Sequence, residues 1–376
     1  MSFLPCSDAR DPATRFFAKP AHLHGLADSR HETCGLDAGL AESRTGGWNA
    51  SGDRAPRFHA SLHPHVERMS NGTASAIDAF IIHAIPGTSM RYEAPTTVDK
   101  AVALLAGEKG LAFVLAGGTD LLVRMKSGYL EPDLIVDIKR ITRLRRIRAE
   151  GGGYRIGAAV SSAELGEHKA VRRLWPGVVE AANLIGSTQI QGRATMVGNL
   201  CNASPAADSV PALAAAAAIV TIVGPNGRRD LPVDEVATAP GKTSLVPGEI
   251  VESILLPARP PRSADAYLRF IPRTEMDIAV VGAGVSLTLD ETGVCQEARV
   301  SLGAVAPRVL VVKEAGDALV GSRLEAFALD RLAEAASAAC RPIDDKRGTR
   351  EFRVKVAGVL ARRAAVIALE RARSKR

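Results

Sequence analysis

Two glycine-bearing segments, about eighty residues apart, constrain the fold of this chain most strongly. The first, Val114–Leu121, is Val-Leu-Ala-Gly-Gly-Thr-Asp-Leu, and the second, Thr195–Asn199, is Thr-Met-Val-Gly-Asn. Each places small residues where a strand is expected to turn, which allows a backbone to approach a phosphate closely. Together the two segments indicate one pyrophosphate held from two sides, and therefore a dinucleotide cofactor.

The first segment has the chemistry of an anion-binding turn. Gly117 and Gly118 carry no Cβ, so successive N–H groups can converge on an anionic oxygen, and the following helix adds its positive N-terminal end. Thr119 can donate a hydroxyl hydrogen bond. The carboxylate of Asp120 is better suited to capping that helix than to touching phosphate. Taken alone, the segment is more typical of an ordinary tight turn than of a phosphate-binding turn. The second segment is what favours phosphate binding.

Composition limits the class of protein. The 376 residues allow two or three domains, and the hydrophobic (46%) and charged (24%) fractions are typical of soluble globular chains. Aromatic residues make up only 4%, and the net charge of +7 is spread out except at 139–148 and the C-terminal end. We interpret both basic clusters as solvated faces and expect no nucleic-acid partner. The longest apolar run, 212–223, is too short to span a bilayer, and no secretory signal is evident.

The cysteines indicate neither a metal site nor a disulfide framework. None forms a Cys-x-x-Cys pair, and an odd, sparse set fits reduced thiols in a cytoplasmic protein: Cys6, Cys34, Cys201, Cys295 and Cys340. Cys201 lies beside the second glycine segment without an evident histidine partner, which favours a small buried residue. His63 and His65 lack a third ligand at suitable spacing. No metal site is therefore predicted.

Composition changes near residue 89. Residues 1–89 contain seven of the eight histidines and few periodic apolar residues, which indicates a disordered or atypical extension. Met90 could instead be the true start. From there the pattern alternates strands and helices to about residue 262, in two parts that divide near residue 145. The remainder, 263–373, is predicted to form strands of an antiparallel sheet followed by two helices.

Local patterns place the individual elements. Ser161-x-x-Glu164 fits a capping box, and Thr97 is a plausible helix cap. His168 falls on the polar face of the helix that this box opens. Strands are predicted at 111–115, 134–138, 154–158, 219–223, 279–289 and 298–305. Helices are predicted at 98–105, 120–127, 175–184, 206–217, 324–339 and 349–373.

The second segment and its surroundings resemble the flavin-binding subunits of the molybdenum hydroxylases. Members include the medium subunit of aerobic carbon monoxide dehydrogenase and the flavin domain of xanthine dehydrogenase. They carry an Ala-Gly-Gly-Thr/His-Asp/Ser segment, a Thr-Ile-Gly-Gly-Asn segment and an Asp nine residues beyond it, matched here by Ala116–Asp120, Thr195–Asn199 and Asp208. The resemblance covers about residues 90–372. One departure is Val197, which stands where the family has a glycine and whose Cβ could block a backbone contact.

The resemblance implies an α+β fold: a two-part, PCMH-type FAD-binding domain at 90–262 (about 90–145 and 146–262), then a C-terminal domain at 263–373. In that domain an antiparallel sheet would pack against helices. Val251 would lie near the flavin or adenine, with core packing as an equal alternative, and Arg269 would contact the cofactor. The predicted cofactor-binding residues are Val114, Leu115, Ala116, Gly117, Gly118, Thr119, Asp120, Leu121, Thr195, Met196, Val197, Gly198, Asn199, Asp208, Val251 and Arg269.

Two further stretches match the family, and a structural role is the simpler interpretation of each. Arg273 with Asp277 can form an ion pair that braces a domain interface. The tail stretch 344–353 resembles the family's C-terminal signature.

No residue is predicted to act as acid, base or nucleophile, because a flavin would do the redox work. The resemblance implies an FAD-carrying electron-transfer subunit of an oxidoreductase. A molybdopterin-binding large subunit would oxidise the substrate, and a small subunit with two 2Fe–2S clusters would relay electrons to FAD and on to a nicotinamide or quinone-like acceptor. Such complexes are usually dimers of heterotrimers. A free-standing FAD-dependent oxidase or dehydrogenase, or a non-catalytic assembly module, remain the alternatives.

Overall fold

The computed structural model describes residues 90–273 and 276–375. The predictions for residues 1–89, including those for His63 and His65, lie outside the described residues. The described chain forms a three-stranded parallel sheet, a five-stranded sheet, a four-stranded sheet and a two-stranded hairpin, with helices between and around them. The α+β class predicted from sequence is confirmed.

The parallel sheet carries the first glycine segment. Its strands, in the order β1-β3-β2, are β1 (Arg91–Glu93), β2 (Ala112–Leu115) and β3 (Leu134–Asp137). Between them lie helices α1 (Val98–Gly107) and α2 (Leu121–Lys126). Both outer strands pair with β3 in parallel. The carboxyl ends of β2 and β3 therefore meet at one edge of the sheet, where ligands of such sheets commonly bind.

The five-stranded sheet carries the helices of the second glycine segment. Its order is β4-β5-β10-β6-β7, with β4 (Ile147–Glu150), β5 (Gly153–Gly157), β6 (Ile219–Gly224), β7 (Gly227–Pro232) and β10 (Ile250–Leu256). Six helices connect β5 to β6: α3 (Ser162–Glu167), α4 (Lys169–Leu174), α5 (Pro176–Ala182), α6 (Thr188–Gln191), α7 (Met196–Cys201) and α8 (Ser209–Ala215). The hairpin β8 (Ala237–Ala239) and β9 (Lys242–Thr243) precedes β10.

Side-chain caps set several helix boundaries. The Ser161 hydroxyl accepts from the Glu164 amide, and the Glu164 carboxylate accepts from the Ser161 amide, so the predicted capping box is confirmed. Thr97 caps α1 by accepting from the Lys100 amide. The prediction for His168 was wrong: α3 ends there, and its Nδ1 accepts from the Val171 amide to cap α4.

The antiparallel sheet of the C-terminal part has the order β11-β12-β13-β14, with β11 (Ser263–Phe270), β12 (Val281–Leu289), β13 (Cys295–Gly303) and β14 (Leu310–Val311). Three helices follow: α9 (Lys313–Asp317), α10 (Ala326–Ala339) and α11 (Arg350–Ser374). Small residues let α10 and α11 approach closely, because a Cβ on Gly358 would lie 2.7 Å from the Ala333 carbonyl oxygen. Within the described ranges, none of the helices combines the length and apolar character that a bilayer crossing requires.

Helix α8 packs on this C-terminal sheet. A Cβ on Gly284 of β12 would lie 2.6 Å from the Pro211 carbonyl oxygen, and the Ser301 hydroxyl of β13 donates to the same oxygen. On the neighbouring helix α5, the Val178 amide donates to Asp265 of β11 at 3.0 Å. The sheet thus fixes one helix before and one helix after the second glycine segment.

Both stretches that match the family form ion pairs. Arg273 binds Asp277 with two hydrogen bonds of 3.1 Å. In the tail stretch the buried Arg353 donates to Asp345 at 2.7 Å and to the Val280 carbonyl oxygen at 2.7 Å. The tail stretch therefore ties α11 to the sheet.

Candidate cofactor site

The two glycine segments touch each other. A Cβ added to Gly117 would lie 2.7 Å from the carbonyl carbon and would overlap the carbonyl oxygen of Arg193, so only glycine allows this approach. The next residue, Gly118, has φ +79°, a left-handed conformation that favours glycine. The first segment therefore turns sharply and meets the chain just before Thr195.

A cavity of about 350 Å³ opens between the two segments. Residues 116–121 of the first segment form one wall. Thr195, Val197, Gly198 and Asn199 of the second form the facing wall. Apolar residues from elsewhere complete the lining, among them Ile138, Ile185, Leu245, Ile250 and Val251. We call the glycine-rich part of the lining, residues 116–119, the polar end.

The polar end holds unused hydrogen-bond donors. Among the described residues, no hydrogen bond is formed by the backbone N–H groups of Gly117, Gly118 or Thr119. Backbone N–H groups are strong donors that are normally paired when they are inside a protein. A run of such free donors beside small residues is the arrangement that binds phosphate oxygens.

The second wall is held by its own side chains. The hydroxyl of Thr195 accepts from the Gly198 amide at 2.9 Å and caps the short helix α7. The amide oxygen of Asn199 accepts from both the backbone N–H (3.2 Å) and the hydroxyl (2.8 Å) of Ser209. Asn199 therefore fastens α7 to the start of α8, and the segment is fixed before any ligand binds.

A hydrogen bond joins the two walls at the cavity mouth. The side chain of Asn202 donates to Oδ1 of Asp120 at 3.3 Å. The expected helix-capping role of Asp120 was wrong, because its backbone is helical (φ −101°, ψ −46°) and its side chain accepts no capping hydrogen bond. A capping side chain normally belongs to an extended residue, which lets it fold back over the first turn.

Asp208 and Arg269 bind each other beyond the cavity lining. Arg269 donates to Oδ2 of Asp208 at 2.8 Å and to the Leu184 carbonyl oxygen at 2.9 Å. The hydroxyl of Tyr267 donates to Oδ1 of Asp208 at 3.2 Å. Burial raises the pKa of Asp208 to about 6, while Arg269 and Tyr267 act in the opposite direction. This cluster links β11 of the C-terminal sheet to the residue that precedes Ser209.

Three titratable side chains of the cavity lining have shifted pKa values. Burial raises the pKa of the Cys201 thiol to about 12, so it stays protonated. Hydrogen bonds from Arg229 lower the pKa of Glu249, so that carboxylate is ionised and paired. Burial also raises the pKa of Asp120, whose Oδ1 accepts from Asn202. The lining can bind and orient a ligand.

The structure brings together most, but not all, of the sequence-predicted residues. Twelve line the cavity: Val114, Ala116, Gly117, Gly118, Thr119, Asp120, Leu121, Thr195, Val197, Gly198, Asn199 and Val251. The side chains of Leu115 and Met196 are buried outside that lining. Asp208 and Arg269 also lie outside it. The sequence interpretation missed the lining residues Ala112, Phe113, Arg124, Ile138, Ile185, Ala194, Cys201, Asn202, Thr243, Leu245, Glu249 and Ile250.

Fold and site together define a nucleotide-cofactor-binding α+β protein with a diphosphate-type turn pair. Comparison with known proteins narrows this class. The profile of the FAD binding domain in molybdopterin dehydrogenase matches residues 88–259, and that of the CO dehydrogenase flavoprotein C-terminal domain matches residues 266–367. The chain therefore belongs to the family of FAD-binding subunits of the molybdenum hydroxylases, and it is a component of an oxidoreductase.

The names of individual relatives agree with this family assignment. The carbon monoxide dehydrogenase medium chain of Hydrogenophaga pseudoflava is 34% identical over 273 residues, which cover 73% of this chain and 94% of that protein. The putative xanthine dehydrogenase FAD-binding subunit XdhB of Escherichia coli K12 is 32% identical over 265 residues, covering 70% and 90%. The solved structure of reconstituted CO dehydrogenase from Oligotropha carboxidovorans matches with a TM-score of 0.73 and 34% identity, covering 76% of this chain and 99% of that chain.

The cofactor of this family is FAD, and the cavity fits such a group. Gly117 and Gly118 let the first segment turn directly against the Arg193 backbone, where a Cβ on Gly117 does not fit. The lining combines unpaired backbone N–H groups with apolar side chains, as a nucleotide with an apolar ring system requires. The predicted family and cofactor are thus confirmed.

Proposed function

We propose that this chain is the FAD-carrying electron-transfer subunit of a molybdopterin and iron–sulfur hydroxylase complex. In this assignment it receives electrons from 2Fe–2S clusters on a partner subunit and passes them to an external acceptor. A large subunit binds molybdopterin and holds the substrate. The observation that carries the proposal is the presence of both glycine segments in the lining of one cavity.

Each part of the site has a role in holding the cofactor. The N–H groups of Gly117, Gly118 and Thr119 donate to the diphosphate, and the Thr195–Asn199 wall encloses it from the other side. Val251 and its apolar neighbours contact a ring of the nucleotide. FAD, when bound, supplies the redox chemistry, and the chain contributes binding, orientation and exclusion of water.

The assignment of partners is supported by the relatives and by what this chain contains. Relatives are named as medium or FAD subunits of dehydrogenases. In the described part of the chain, no group of three or more histidine, cysteine, aspartate or glutamate residues could hold a metal ion, and three cysteines are free thiols. We assign the clusters and molybdenum to partner chains, in a dimer of heterotrimers in the cytoplasm. The acceptor is a nicotinamide or a quinone-like compound.

The same proposal divides the chain at residue 262. Residues 90–262 form the FAD-binding domain, in two parts that meet near residue 145, and residues 263–373 form the C-terminal domain. The separate apolar cores of the two ends support this division.

Purification of the full-length chain from the organism that encodes it tests the proposal. We expect a complex of three different subunits that contains molybdenum, iron and one FAD per copy of this chain. Addition of the substrate should bleach the flavin absorbance. Elution of the flavin-loaded chain alone, without molybdenum or iron, would overturn the electron-transfer assignment in favour of a free-standing flavoenzyme. Absence of flavin absorbance would favour a non-catalytic assembly module.

A further inference from the structure

One lysine of the basic stretch 139–148 faces the first glycine segment instead of solvent. Lys139 follows β3 directly, and only 18% of its side chain is exposed. Its Nζ donates to the carbonyl oxygen of Ala116 at 3.1 Å, across 23 residues of sequence. The interpretation of this stretch as a solvated face is therefore wrong for Lys139, although Arg140, Arg143 and Arg145 are exposed as predicted.

A buried carboxylate holds the lysine in this position. Asp137, the last residue of β3, is fully buried, and its Oδ1 lies 3.0 Å from Nζ of Lys139. The same oxygen accepts from the backbone N–H of Lys139 at 2.9 Å. The hydroxyl of Tyr92 donates to the other oxygen at 2.5 Å. A buried charge is costly without its partners. Movement of the ammonium group to solvent would leave the buried Asp137 carboxylate without one of its partners, so the lysine is held in place.

The contact with Ala116 fixes the direction of the next N–H group. The peptide bond between Ala116 and Gly117 is trans, as are all those of the described chain. The C=O of Ala116 and the N–H of Gly117 therefore point in opposite directions across one rigid plane. With the carbonyl held by Lys139, the N–H of Gly117 is directed away from the lysine, and it meets no acceptor among the described residues.

Glycine makes such a brace necessary. A glycine backbone reaches more conformations than any other, so the peptide plane before Gly117 can rotate unless something holds it. Asp137 and Lys139 lie at the carboxyl end of β3, beside the end of β2 from which the segment leaves. The brace thus comes from the neighbouring strand of the same sheet, which is a rigid support.

We propose that Lys139 is a positioning residue of the FAD site: it orients the Ala116–Gly117 peptide so that the Gly117 N–H donates to the cofactor's diphosphate. The positively charged ammonium group is neutralised by Asp137, so it acts through this peptide and not as a phosphate ligand of its own. This proposal rests on the proposed function, in which the first glycine segment binds that diphosphate.

The test uses deflavinated full-length chain and compares Lys139→Met with wild type. Dissociation constants are measured for FAD and for ADP, which shares the diphosphate but lacks the flavin. We expect both to rise by the same factor, about tenfold, which corresponds to about 1.4 kcal/mol. Lys139→Arg, which keeps the positive charge and the donors, should recover part of the affinity. The visible spectrum of flavin bound at saturation should not change, because in the proposed function this segment binds the diphosphate.

Two further variants separate positioning from a general loss of stability. Lys313→Met removes a lysine from an exposed ion pair with Asp317, and it should leave both dissociation constants unchanged. The double variant D137N/K139M leaves no unpaired buried carboxylate, so it should unfold near the wild-type urea midpoint yet still bind ADP weakly. Recovery of full ADP affinity in the double variant would show that stability alone was at issue and would overturn the proposal.

The remaining outcomes distinguish this proposal from the one on which it rests. Wild-type affinity for FAD and ADP in K139M would overturn the positioning role while leaving the FAD assignment intact. A loss of FAD affinity without a loss of ADP affinity would also overturn it, because the defect would then lie at the flavin. Failure of the wild-type chain itself to bind FAD would instead overturn the proposed function.

Discussion

The close approach of the two glycine segments predicts the effect of a single methyl group. In Gly117→Ala the new Cβ would overlap the Arg193 carbonyl oxygen, and it would lie 2.7 Å from the carbonyl carbon and 3.1 Å from Cα of Ala194. All three atoms are backbone, so no side chain can rotate away. Overpacking of this kind costs about 1–3 kcal/mol, and we expect the upper end of that range.

Gly192→Ala is the matched control. Gly192 directly precedes Arg193, the residue that Gly117 contacts. It has helical dihedral angles (φ −64°, ψ −14°), and an added Cβ would have nothing within 4 Å. Both substitutions reduce the entropy of the unfolded chain by the same amount, about 0.4–1 kcal/mol in favour of the native state. The difference in unfolding free energy between the two variants therefore isolates the clash.

Urea unfolding of the flavin-free chain, followed by tryptophan fluorescence, gives the two free energies. Titration with FAD gives the affinities. We expect G117A to be less stable than G192A by about 1–3 kcal/mol and to bind FAD more weakly, since the segments are pushed apart. Equal stability and equal FAD affinity in the two variants would refute the argument that contact between the segments shapes the site.

Three other substitutions test the supports of the site by the same urea assay. Burial raises the pKa of Asp208 to about 6, so between about pH 4 and pH 6 the native chain holds a proton that the unfolded chain releases. Stability is therefore lost as the pH rises through this range, by about 3 kcal/mol over the whole transition, and Asp208→Asn should remove that loss. An unchanged pH profile would contradict this. Val197→Gly removes a buried side chain from α7 and should lower the free energy of unfolding by about 2–4 kcal/mol without tightening FAD binding. Tighter FAD binding would mean that the valine obstructs the cofactor. Arg259→Met leaves the buried Asp265 carboxylate without its cation, so it should lower the free energy of unfolding by about 3–5 kcal/mol. The double variant R259M/D265N should lower it by less.

Sequence patterns predicted the elements whose cause is local. A capping box at Ser161 and Glu164 and a cap at Thr97 depend only on residues three apart, and both were found. The glycine segments were also predicted from local sequence, because small residues at a turn indicate a backbone that a ligand or another part of the chain approaches closely.

The features of the fold and site that the sequence did not predict depend on contacts between distant residues. The helix expected at 206–217 spans only Ser209–Ala215, because Asn199 and Ser209 fix its start through a side chain that lies ten residues earlier. Lys139 belongs by composition to a basic surface stretch, and only the parallel pairing of β2 with β3 brings it to Ala116. Nor does any local pattern assign Thr243, the last residue of β9, or Leu245, two residues later, to the cavity lining.

Each wall of the cavity is braced by a buried carboxylate paired with a cation, and the two braces come from different parts of the chain. Asp137 and Lys139 hold the first glycine segment from within its own sheet. Asp208 and Arg269 act on the second wall, where Arg269 lies on β11 of the C-terminal sheet and Asp208 precedes Ser209, which holds Asn199. The C-terminal sheet therefore takes part in shaping the site although the cavity lining contains none of its residues. For this reason, removal of residues 263–375 should weaken FAD binding even if the remaining domain folds.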